Sequence, residues 1–261
     1  MLNGIESADL KLIRAAEHIE SVRSAVWDYL ANEPSGVARH SDGKHKMQFA
    51  TPPPPEIAIF AGVALYQMRS ALDHLAFDLA QMNSTNVQLP AKWEKRCEFR
   101  LLIDVPTKGN TKVPRNLPLP YNFFEETLPG ISRGAFAIIE GLQPYYGGDG
   151  PAQLRTLAVL SNIDKHRHLH IPKPEAHVRF DAVIDGLSST TIIRAEHGAD
   201  VKSPYPKGVK VAGGLMPFVT FDESALGKHP TRLPAQDLLE FCLEGIKRFV
   251  IPAFEKLIKN P

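Results

Sequence analysis

Apolar positions along the chain fall into two registers, and the switch between them marks out helices and strands. From Ile5 to Tyr29, apolar or small residues recur at Ile5, Ala8, Leu12, Ala15, Ile19, Val22, Val26 and Tyr29. Alternating steps of three and four predict one long amphipathic helix with a bundle-type seam. Glu56 to Met82 repeats the seam at Ile57, Ala61, Ala64, Met68, Leu72, Leu75, Leu79 and Met82, and its other side adds Ile59, Val63, Tyr66 and Phe77. A helix apolar nearly all round is expected at the centre of a bundle. A shorter helix from about Ser132 to Leu142 ends at the Gly- and Pro-rich stretch Gln143 to Pro151, and Pro151 suits the first turn of a helix running to about His168. The last helix, Ala235 to Lys259, sets Leu239, Cys242, Ile246, Phe249, Ala253 and Leu257 on one stripe, with Pro252 expected to bend it.

Asn32 to Gln48 lacks either period and reads as a mobile connection, and Pro52 to Pro55 holds off helix until Glu56. Period-two alternation at Phe99, Leu101, Ile103 and Val105 predicts a strand over Glu98 to Val105, followed by a proline-rich irregular loop. Further strands are expected at Val178 to Ile184, Thr190 to Ala195 and Lys210 to Phe221, with Gly213 and Gly214 as a bulge. Short links between them favour an antiparallel meander. The predicted fold is α+β: a mainly α-helical bundle of long helices with a small antiparallel sheet inserted before the C-terminal helix. Helices at both chain ends need partners, and neither a repeat nor a break in composition divides the chain. It reads as a single domain over 1–261, with a helical core from 5–32, 56–82, 132–168 and 235–259 and a strand-rich insertion over 177–222.

Composition narrows the classes. Hydrophobic residues make up 43% and charged residues 23%, which excludes wholesale disorder. Lys+Arg number 30 against 29 Asp+Glu, so no chain-wide field draws the protein to nucleic acid or to an anionic membrane. Cys97 and Cys242 fit neither a disulfide framework nor a CxxC motif, and a reducing, cytoplasmic location is expected. Early charges at Glu6, Asp9 and Lys11 interrupt any signal-peptide core, and no apolar run is long enough for a membrane span. Phosphate-loop, dinucleotide-fold and serine-hydrolase motifs are missing, and no cofactor is implied.

The candidate chemistry lies in two polar groups on otherwise apolar helices. Arg69 and Asp73 stand one turn apart beside the Met68/Leu72/Leu75 stripe, where a charge-assisted pair can form, and His74 points further round the helix. Ionisable groups in such a setting need partners. The second group, Asn162, Asp164, Lys165, His166 and Arg167, supplies donors and titratable side chains near a helix end. Asp73 with Arg167 and Asp164 with Arg69 would lock neighbouring helices together, and a Lys/His/Arg run at a helix C-terminus also suits the macrodipole. The same residues are candidate catalytic groups. His166, His168 and His170 could share a metal only if the chain is extended there, because on a helix they diverge.

The segment Arg69-Ser-Ala-Leu-Asp-His74 resembles the Arg-x4-6-His motif of HEPN-type helical proteins, many of which are metal-independent ribonucleases or nucleotidyltransferase partners that act as dimers. The resemblance implies a composite cleft between subunits in which Arg69 stabilises a phosphate transition state and His74 handles protons. It covers one helix, and the strand-rich segment from His177 to Phe221 has no place in a minimal HEPN domain. The phrases RSALDHLA and LSNIDKHRHL also look like those of uncharacterised bacterial proteins. From the residues alone, the leading expectation is a binding or structural protein of unknown ligand whose polar cluster specifies helix packing. A ribonuclease using Arg69 and His74, with RNA as partner, is the alternative. A homodimer is expected because the Ile5 to Tyr29 seam is longer than the short helices can cover, although the helix from Ala235 could cover it within one chain.

Overall fold

The computed structural model describes residues 4–32, 35–39, 45–83, 88–89, 91–104, 107–108, 111–112, 128–166, 172–184, 187–196, 198–205, 209–221 and 233–259. Its longest element, α1 (Gly4–Asn32), buries Ala8, Leu12, Ala15, Ile19, Val22, Val26 and Tyr29, the stripe that the periodicity marks. Side chains such as Leu12 and Ile19, 2% and 1% exposed, contribute on the order of 2 kcal/mol each by leaving water. The helix α2 (Glu56–Asn83) runs antiparallel beside α1. Ser7 meets His74 near one end of the pair, and the Tyr29 hydroxyl donates to the Thr51 carbonyl near the other.

The rest of the bundle is α3 (Arg133–Gly141), α4 (Asp149–His166), α5 (Ala235–Gly245) and α6 (Ile251–Lys259). Ser132 caps α3 by accepting from the Ala135 amide. One apolar core joins Ala8 of α1 to Leu257 of α6, so both ends of the chain pack into it. Between α5 and α6 lies a π-helical turn, Ile246–Val250, in which the Ile251 amide donates to the Ile246 carbonyl. The proline expected to bend the last helix is thus met by a widened turn, which shifts the hydrogen-bond register just before Pro252, a residue with no amide to donate.

Two expectations about helix environment are corrected. The α1 seam is not left for a second copy: α2 and α5 cover it within one chain. Nor is α2 sealed on all sides. Ile59, Tyr66 and Phe77 are 47%, 60% and 38% exposed, so the second apolar stripe faces outward. α1 lies on one flank and the 97–103 segment and α4 toward the other; at the C-terminal end of the face Trp93 stacks on Phe77, ring centroids 5.1 Å apart.

Three antiparallel sheets are described. β1 (Ser35–Arg39) and β2 (His45–Phe49) form a hairpin where the sequence suggested an unstructured connection. Its inward Met47 and Phe49 pack with Ala176, Val178 and Ala195 into a second apolar cluster. β3 (Thr107–Lys108) and β4 (Thr111–Lys112) make a short pair. The main sheet has the order β6-β5-β7, from β5 (Pro172–Ile184), β6 (Leu187–Glu196) and β7 (Val211–Phe221). β5 starts earlier than the alternation indicated because β7 pairs with it from Pro172, whereas β6 joins it only from Glu175 onward. Pro172 and Pro174 therefore fall where β5 is paired on one side alone, the position in a sheet that tolerates a missing amide. Gly213 and Gly214 pair in continuous register with Phe180 and Arg179, so the expected bulge is absent there.

Candidate functional site

The predicted strand from Glu98 to Val105 joins no ladder over its described residues, 98–104. Residues 97–103 form neither helix nor strand, and Phe99 is fully buried with its ring 5.8 Å from that of Phe254. A buried chain with no neighbouring strand must find other partners for its amides and carbonyls. Helix side chains supply them. Arg69 Nη2 donates to the Phe99 carbonyl at 3.0 Å, and Asp73 Oδ1 accepts from the Phe99 amide at 3.0 Å. Gln143 Oε1 accepts from the Leu102 amide at 3.0 Å, and Arg155 Nη1 donates to the Ile103 carbonyl at 3.0 Å. Gln143 is itself fully buried and anchored through Nε2 on the Ile139 carbonyl at 3.2 Å. Arg69 and Asp73 thus belong to a clasp of side chains from α2, α4 and the turn after α3, closed on one segment.

Electrostatics follow from this enclosure. Burial lowers the proton affinity of the Arg69 guanidinium from its usual value, and the negative charges of Asp73 and Glu98 offset part of that. Burial, with Asp73 and Glu98 nearby, pushes the Cys97 thiol up to about 12. A thiol so perturbed is protonated and inert at neutral pH.

His74 is directed elsewhere. It is half-buried on the α1 side of α2, where Nδ1 lies 2.5 Å from the Ser7 hydroxyl. Burial chiefly, and then the positive charge of Lys11, hold its pKa below the usual histidine value, against a smaller opposite effect of Asp73. The imidazole is therefore mainly neutral at pH 7.

The second polar group does not converge on Arg69. Asn162 is exposed, and the neighbouring Ser161 is buried with its hydroxyl on the Ala158 carbonyl. Asp164 lies against Gly62, two turns before Arg69 on α2. A Cβ built on Gly62 would come 2.8 Å from Asp164 Oδ1. Among the described residues Asp164 makes no ion pair with Arg69. Lys165 and His166 belong by backbone to the last turn of α4, while their side chains and Arg167, His168 and His170 lie outside the described residues. The proposed Asp73–Arg167 pair and the three-histidine metal site fall there too. No three His, Cys, Asp or Glu side chains are grouped for a metal among the described residues.

Sequence reasoning missed Ser7, Gln143 and Arg155. None stands in a motif, and each is found only by asking where the main chain of 97–103 and the imidazole of His74 find partners. An open cavity of about 990 Å³ lies at one end of the main sheet, lined by Arg179, Asp181, Ser188, Thr190 and Lys210 among others, and none of the polar-cluster residues borders it. No described helix is long and apolar enough to cross a membrane. No protein-family model, curated protein or solved structure matches the chain.

Proposed function

We propose that the protein has a binding or structural role, in which Arg69 and Asp73 hold the 97–103 segment to the helical bundle. The supporting observation is that Arg69 Nη2 and Asp73 Oδ1 both bond to the main chain of Phe99. An arginine that stabilises a phosphoryl transition state must present free donors to solvent-borne substrate, whereas this guanidinium is turned onto a buried carbonyl. The ribonuclease alternative needs Arg69 and His74 to act together, whereas His74 meets Ser7 and Arg69 meets the Phe99 carbonyl. Incubation of the full chain with single-stranded RNA in a chelator separates the two. Cleavage that is lost in Arg69→Ala at a temperature where that variant is folded would overturn the structural reading; intact RNA supports it.

The assembly that fits this reading is a homodimer through the outer face of α2. Ile59, Val63, Tyr66, Ser70 and Phe77 follow one line along the helix, a stripe about 27 Å long. Antiparallel two-fold pairing sets Ile59 of one copy opposite Phe77 of the other and Tyr66 opposite the small Ser70, so the face is complementary to itself. Light scattering at micromolar concentration is expected to give twice the chain mass, and Tyr66→Asp to halve it. A wild-type monomer at high micromolar concentration overturns the dimer.

A further inference from the structure

The clasp accounts for Arg69 and Asp73 but leaves the pair on the opposite flank of α2 unexplained. Ser7 stands in the first turn of α1, and its hydroxyl meets His74 Nδ1 at 2.5 Å, the short end of hydrogen-bond distances. Both residues are half-buried, so the pair is neither sealed in the core nor fully hydrated. With the ring proton on Nε2, Nδ1 is a bare acceptor and the serine hydroxyl donates to it. That is the resting arrangement of a nucleophile and its general base. Lys11 follows Ser7 by one turn on the same face of α1, close enough for its charge to act on His74. Asp73, next to His74 in the chain, acts on the ring with the opposite sign and favours the imidazolium that proton transfer creates.

We propose that Ser7 and His74 form a nucleophile–base pair for acyl transfer from small carboxylic esters. Ser7 Oγ bonds to the ester carbonyl carbon while its proton passes to His74 Nδ1. The tetrahedral oxyanion collapses with cleavage of the bond to the alcohol oxygen. The alcohol leaves with the proton from His74. Water then attacks acyl-Ser7, giving its proton to the same nitrogen, and the carboxylic acid and free hydroxyl are released. Neither the nucleophile nor the base belongs to the clasp, of which only Asp73 acts on the ring, through its charge.

The test treats the full chain with a fluorophosphonate probe, maps the adducts by mass spectrometry, and follows hydrolysis of p-nitrophenyl acetate. Ser7 is expected to be labelled well ahead of the exposed Ser24 and Ser203, and Ser7→Ala to abolish turnover. His74→Gln keeps an acceptor for the hydroxyl but has no basicity, and is expected to slow both reactions about 100-fold. A hydrogen bond that only joins two helices would move none of these readouts. Ser7 labelled no faster than Ser24 overturns the proposal without recourse to any variant, and so does undiminished turnover by folded His74→Gln.

Discussion

Replacing Asp73 by alanine removes the acceptor that holds the Phe99 amide at 3.0 Å and a negative charge beside Arg69. Phe99 is fully buried, so its amide is left without a partner, at a cost of about 1–3 kcal/mol. Breaking a fully buried ion pair costs about 3–5 kcal/mol, but Arg69 keeps some contact with water, and its share is discounted to about 1 kcal/mol. The combined loss is about 3 kcal/mol, or roughly 6–12 °C in Tm for a chain of this size. Asp73→Asn retains an oxygen for the amide and should lose only about 1 kcal/mol. Arg69→Met keeps the apolar stem and gives up the bond to the Phe99 carbonyl. The double variant with Asp73→Ala should therefore fall short of the sum by at least about 0.5 kcal/mol. Cys97 is a local reporter of the same event. With its thiol pushed up to about 12, alkylation at mildly alkaline pH should run at least about a hundredfold slower than for an ordinary thiol. Asp73→Ala should accelerate it below the melting transition. If Asp73→Ala melts within about 0.5 kcal/mol of the wild type and Cys97 stays protected, the clasp does not hold the segment.

Two further outcomes test the surroundings of the cluster. Gly62→Ala should destabilise the wild type by crowding Asp164, whose Oδ1 would lie 2.8 Å from the new methyl group, but should stabilise the Asp164→Ala background by up to about 1 kcal/mol through helix propensity; an equal effect in both backgrounds refutes the contact. Because the folded pKa of His74 lies below its ordinary value, the unfolded chain takes up the proton first. The resulting stability is complete above about pH 6.5 and is lost as pH falls through that value toward the folded pKa. Urea midpoints at descending pH should therefore drop less steeply for His74→Gln than for the wild type, and parallel curves would count against this assignment.

Several features were legible because a helix or strand writes its buried side into the residue spacing. The α1 seam came out of the sequence from Ala8 to Tyr29, with Ile5 only half-buried, as did the sheet before the last helix and the presence of partners for Arg69 and Asp73. The hairpin of β1 and β2 was hidden because its strands are short and its apolar residues Met47 and Phe49 do not form a sustained alternation. Phe99, Leu101 and Ile103 carried the alternation of a strand, yet alternation reports only that successive side chains face opposite ways. Whether the main chain then pairs with a neighbouring strand or with helix side chains depends on what lies beside it.

The sequence by itself determined that α2 would carry ionisable groups in an apolar setting, because desolvation makes such groups need partners wherever the chain goes. It also determined which face of α1 would be buried. Only the tertiary structure decided that Arg69 and Asp73 answer to the backbone of Phe99 rather than to the polar run at the end of α4, and that His74 faces Ser7, across an interval of 67 residues. It also left Ile59 and Tyr66 of the second apolar stripe of α2 in solvent, with Phe77 under Trp93. The physical reason is common to all three. Local spacing fixes the direction of a side chain relative to its own helix axis, whereas the partner it meets is set by the packing of elements distant in sequence, which local periodicity does not encode.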